Sequence, residues 1–83
     1  MSLDEASDRL AKHLGRRPEF PADAVIENEG WWFIPCVWIG TLGFVVDKGS
    51  GEVFQLGSGL GHLWQALEAF QRGLVPPSTP KAD

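Results

Sequence analysis

The run Trp31-Trp32-Phe33-Ile34-Pro35-Cys36-Val37-Trp38-Ile39 holds no charged or amide side chain, and it constrains the fold more than any other stretch. A strand alternates its side chains between two faces. Here Trp31, Phe33, Pro35, Val37 and Ile39 fall on one face, and Trp32, Ile34, Cys36 and Trp38 on the other. Neither face suits water, so either helices cover both sides of the sheet or one side is an interface. Pro35 has no N–H for a ladder, so the strand is expected to break or bulge there.

The surrounding stretch, residues 30–58, reads as three short strands joined by two tight turns. Gly40-Thr41 fits a two-residue hairpin turn with glycine first. Residues 42–47 form the next strand, Lys48-Gly49-Ser50-Gly51 the second turn, and residues 52–56 return antiparallel. Upstream, residues 24–29 read as a further strand. Asn28-Glu29-Gly30 carries turn chemistry, with Gly30 available for any positive φ.

Helical spacing frames this meander. Leu3, Ala6, Leu10 and Leu14 give one apolar stripe over residues 3–14. Asp4, Glu5 and Asp8 lie early in it and Lys12 and His13 late, as the helix dipole favours. Ser2 or Asp4 is placed to cap it, and Gly15 to end it. Two prolines within RRPEFPA make residues 16–22 a connector, with Phe20 expected to tuck its ring under the loop. Leu60, Leu63, Trp64, Leu67, Phe70 and Leu74 form a second stripe over a helix at residues 60–72, with Ser58 as N-cap and Gly73 as stop. That helix is expected to bury Trp64, Leu67 and Phe70 on the meander. The expected fold is α+β: an N-terminal helix, a four-stranded antiparallel meander and a C-terminal helix packed on the sheet. It forms a single domain over residues 1–75, followed by a Pro-rich, unfolded tail at 76–83.

With 83 residues, the chain buries only about 60% of its unfolded surface, enough for one small core. A single cysteine excludes an intramolecular disulfide and a multi-Cys zinc site, and fits a reducing compartment. The sequence shows neither a signal peptide nor an apolar run of membrane-spanning length, so a bacterial, cytoplasmic protein is the expectation. A net charge of −4 argues against nucleic acid or anionic lipid as ligand. It suits a basic partner, although solubility alone explains it.

Each chemical motif meets a simpler explanation. Gly57-Ser58-Gly59-Leu60-Gly61, between strand and helix, has the look of a phosphate cradle. It lacks the following parallel strand and acid of a dinucleotide site, and His62 stands where a Walker motif needs lysine, so a capped turn is the better reading. Arg16 and Arg17 could pair on an anion, but solvated charges beside an acidic helix turn explain them. His13 reads as a solvated helix-end residue. His62 lacks a neighbouring carboxylate or nucleophile, and a Cys36/His62 pair lacks a third, orienting group. Cys36 is expected to be buried and inert. Asp47 and Glu52 flank a turn and are most simply solvated. No catalytic, metal or cofactor site is expected. Tryptophan is enriched at binding hot spots, and four in so small a domain are hard to hide. Trp31, Trp32 and Trp38 are the candidate partner-binding residues.

Gly30-Trp31-Trp32-Phe33, Leu42-Gly43-Phe44-Val45-Val46-Asp47-Lys48, Ser50-Gly51-Glu52-Val53 and Leu56-Gly57-Ser58 together resemble the YrhB-like immunity-protein family, the type numbered thirty-five. The likeness covers roughly residues 24–74, most specifically the Val-Asp-Lys…Gly-Glu-Val hairpin. The chain departs from the family pattern in carrying Phe44 where proline is usual and in a shorter spacer before the hairpin. The resemblance implies a small, non-catalytic α+β bacterial protein that binds and neutralises a cognate toxin, or a related stress-linked stabilising role. It gives Trp31, Gly43, Asp47, Lys48 and Gly51 structural roles. The expected function is therefore a protein-binding module of the immunity type, occluding its partner through an apolar patch with an acidic surround. The alternative is a self-associating structural or chaperone-like domain, homodimeric through exposed tryptophan.

Overall fold

The computed structural model describes residues 1–36, 41–57, 59 and 61–77. Helix α1 (Leu3–Leu14) is followed by a 3-10 turn (Ala22–Ala24), strands β1 (Ile26–Glu27), β2 (Trp31–Ile34), β3 (Thr41–Asp47) and β4 (Val53–Gly57), and helix α2 (Leu63–Gln71). The strands pair antiparallel in the order β1-β2-β3-β4, so the expected α+β meander with a helix on each side in sequence is what forms.

Both helix ends of α1 follow the sequence. Ser2 Oγ accepts from Glu5 N at 3.2 Å, and Gly15 closes the helix at φ 77°, a left-handed position that costs glycine nothing sterically. The connector then brings Phe20, half-buried, against the cluster beneath α1.

The apolar run resolves by having a helix on each face. On the α1 side, Ala6 and Leu10 pack against Ile34, Cys36, Phe44, Val46 and Val53, with Trp32 partly buried among them. On the α2 side, Ala66, Leu67 and Val75 pack against Trp31, Phe33, Val45 and Leu56. The register explains the sorting: Trp32 pairs with Val46 and Phe33 with Val45, while Val46 meets Val53 and Val45 meets Phe54. Each directly opposed pair shares a face. Full burial of a side chain such as Leu10, Phe33 or Ile34 contributes about 1.5–3 kcal/mol, so this three-layer packing supplies the stability that a one-sided meander would lack.

Local chemistry shifts several boundaries. Strand β1 has two residues rather than six. Ahead of it, Ala24 N donates to Pro21 O at 3.1 Å and winds the chain into the 3-10 turn. After it, Asn28 Oδ1 accepts from Gly30 N at 2.8 Å and Trp31 N at 2.9 Å. This side-chain turn does its work without a positive φ at Gly30. β2 ends at Ile34, just before Pro35, where the missing N–H predicts a break. Thr41 is the first residue of β3, paired with Gly57, and a register shift follows between Thr41 and Gly43. The expected Gly40-Thr41 turn is thus displaced at Thr41, and Gly40 lies outside the described residues.

α2 begins three residues later than its apolar stripe suggests. Gly61 takes φ 95°, which a helix cannot include, and the N-cap is His62, whose backbone N–H donates to Gln65 Oε1 at 3.2 Å. Ser58, the expected cap, lies outside the described residues. The far end follows expectation: Gly73 at φ 75° lets Gly73 N donate to Phe70 O and Leu74 N to Ala69 O, each at 3.0 Å, the paired closure of a Schellman motif.

Beyond α2 the chain changes sides. Val75 is buried in the α2-side cluster, whereas Pro77 lines a cleft with Arg9, Lys12 and Val53 on the α1 side. The switch takes place between Val75 and Pro77, within two residues. Of the expected unfolded tail, residues 78–83 lie outside the described residues.

Candidate partner-binding surface

The tryptophans sort differently from expectation. Trp31 is only 8% exposed; its indole and the Phe70 ring stand T-shaped, centroids 5.9 Å apart at 90°, and Phe70 in turn packs on Phe54 with centroids 4.7 Å apart. As a partner-binding residue it is therefore corrected to core: α2 lies over its face of the sheet. Trp32 is half-buried and already engaged. Its Nε1 donates to the Met1 carbonyl at 3.0 Å, and Lys48 Nζ sits 5.0 Å from its ring centroid. Trp38 lies outside the described residues.

Among the described residues, the exposed indole is Trp64, at 68%. The expectation that α2 buries it is overturned by the helix phase. Leu63, Ala66, Leu67 and Phe70 face the sheet. That places Trp64 with Glu68 and Gln71, at i, i+4 and i+7, on the outward side. Leu74, just past the helix, is 69% exposed. Sequence periodicity missed this because a leucine-rich stripe tolerates a shift of one position when an aromatic flanks it. The position of the glycine at 61 was the available signal for where the helix begins. The surround of Trp64 is mixed rather than acidic: Glu68 is paired with Arg72 at 2.6 Å, and Gln65 and Gln71 are neutral.

The motif residues of the second hairpin have structural roles. Asp47 is not simply solvated: its Oδ1 accepts from Gly49 N at 2.8 Å and Ser50 N at 2.9 Å. Its backbone carbonyl accepts from Gly51 N, and its backbone N–H donates to Glu52 O, both at 2.9 Å. Gly51 closes the turn at φ 76°. Lys48 bridges strands through Glu27 at 2.6 Å, the cross-strand neighbour of Trp32. Gly43 leaves room for the Phe33 ring.

The chemical candidates do not converge. Cys36 is fully buried in the α1-side cluster, and burial pushes its thiol up to about 11. His62 is exposed at the start of α2, which covers the opposite face of the sheet, so the Cys36/His62 pair does not form. In the Gly57–Gly61 loop, Ser58 and Leu60 lie outside the described residues. Arg17 pairs with Asp8 at 2.9 Å, both side chains exposed. His13 is partly buried, its ring 6.5 Å from Phe44 in an edge-on arrangement; burial lowers its pKa below the ordinary value. Among the described residues, no group of three or more His, Cys, Asp or Glu side chains is placed to hold a metal ion, and no helix is long and apolar enough to cross a membrane.

No protein-family model, curated protein or solved structure matches this chain. The surface itself is therefore the basis for any functional reading.

Proposed function

We propose that this chain is a non-enzymatic protein-binding module of the toxin-neutralising immunity type, which occludes its partner through the outer side of α2. The observation that carries the reading is Trp64, 68% exposed on a helix anchored from behind by Ala66, Leu67 and Phe70. An indole on a rigid element gives a large contact area at little conformational cost, the profile of a binding hot spot. The resemblance to immunity proteins supports the same reading, although its most specific residues, Asp47 and Gly51, make a turn rather than a contact.

The test is protection. Any toxin gene adjoining the gene for this chain is expressed alone and together with it. Rescue of growth that is lost in Trp64→Ala, with thermal stability unchanged, supports the proposal. No rescue, or rescue untouched by Trp64→Ala, overturns it.

A second reading, homodimerisation, is favoured by the same exposed Trp64. Light scattering on dilution, with tryptophan emission followed in parallel, separates the two. A dimer that Trp64→Gln converts to monomer supports self-association. A monomer whose Trp64 emits as a hydrated indole counts against it.

A further inference from the structure

On the α1 side, Arg9 and Lys12 differ from Arg17, Lys48 and Arg72. Those three each pair with a carboxylate, but Arg9 and Lys12 form no ion pair among the described residues, in a chain with 11 acids to 7 Lys and Arg. Each has an acid one helical turn back, Glu5 and Asp8, at the spacing that ordinarily pairs. Asp8 is taken by Arg17. Arg9 reaches across to the β3–β4 turn instead, where its Cζ lies 3.0 Å from the position a Cβ on Gly51 would occupy. Glycine at 51 thus serves both the turn and the guanidinium lying over it.

These side chains open onto a cleft of about 290 Å³ between α1, the turn and Pro77. Val53 and Pro77 give it apolar walls, and His13, whose pKa burial lowers, also lines it. We propose that this cleft binds a carboxylate, of a small organic acid or of an acidic side chain on a protein. A guanidinium matches a carboxylate with two parallel donors, Lys12 adds a point charge, and the apolar walls accept a short aliphatic stem. Glu52 lines the same cleft; its charge works against a dianion, so a carboxylate is preferred over phosphate. The cleft lies across the sheet from Trp64 and is independent of the reading given to that residue.

The experiment is an amide NMR titration of the full chain with sodium propionate, sodium phosphate and an N-acetylated glutamate peptide, against sodium chloride at equal ionic strength. Saturable shifts at residues 9–13 and 51–53 are expected with a carboxylate probe, more weakly with phosphate. Arg9→Gln should weaken binding by about tenfold, the loss of one charge-assisted contact, and Glu52→Gln should strengthen it. Circular dichroism verifies that both variants fold. Equal binding of propionate and peptide assigns the site to small acids, and binding of the peptide alone assigns it to a protein side chain. Shifts reproduced by chloride, tighter binding of phosphate, or indifference to Arg9→Gln overturn the proposal.

Discussion

The Phe33 ring lies directly over Gly43 on the neighbouring strand: a Cβ at residue 43 would stand 2.6 Å from Phe33 Cζ and 2.7 Å from the Ile34 carbonyl oxygen. Gly43 has an ordinary negative φ, so backbone preference alone would let alanine stabilise this strand by about 0.5–1 kcal/mol. The contact reverses the sign. Gly43→Ala is expected to destabilise by about 2 kcal/mol through overpacking, measured by urea unfolding, with partial recovery in the Phe33→Leu background. A stabilised single variant would refute the contact.

Asp47 holds the β3–β4 turn through two backbone donors on one carboxylate oxygen. Asp47→Ala should cost about 1–2 kcal/mol, and Asp47→Asn much less, because the amide oxygen retains both acceptor positions. Equal losses in the two variants would mean that charge, and not the turn geometry, is what matters.

Much of this architecture was legible in residues 31–36 alone. Alternation placed Trp31 and Phe33 on one face and Trp32, Ile34 and Cys36 on the other, and the lack of a polar face left two outcomes, a helix on each side or an interface on one. The first is what forms, and two helical stripes were at hand to supply it. Pro35 marked the end of β2 through its missing N–H. What could not be read was helix phase. Leu60, Leu63 and Trp64 fit a stripe beginning at 60, but the left-handed backbone at Gly61 leaves residue 60 outside the helix. The face that meets the sheet is centred on Leu63, Ala66, Leu67 and Phe70, which leaves Trp64 outward. Exposure of an individual tryptophan depends on that offset, and the apolar pattern is blind to it. The cleft at Arg9 was equally hidden, because it joins residues 9–13 to 51–53 across the fold.

His13 makes stability depend on pH in a defined direction. Its folded pKa lies below 6.5 because burial disfavours the charged ring, so the unfolded chain binds the proton more readily. Its contribution is fully present above the unfolded pKa and declines as pH falls through 6.5 toward the lower folded value. Denaturant midpoints taken from pH 7.5 to pH 5.5 (roughly the titration range of histidine) should fall, and His13→Gln should flatten the slope. An unchanged slope in that variant would assign the effect to other groups.

Cys36 should be silent in the native state. With the side chain fully buried and the thiol pushed up to about 11, an aromatic disulfide reagent at pH 8 should release no thiolate signal over minutes, since thiolate is the reacting species. Denaturing guanidinium should then release one equivalent per chain, matching the single cysteine. Rapid native labelling would mean that the α1-side core opens freely.

The change of sides between Val75 and Pro77 has an orientational consequence. Met1 packs on the α1-side cluster and Pro77 lines a cleft on the same side, so both positions sit on the face of the sheet opposite α2. A tether or fused domain attached at Met1 pulls from that side, turns α2 toward the surroundings and leaves Trp64 open to collision.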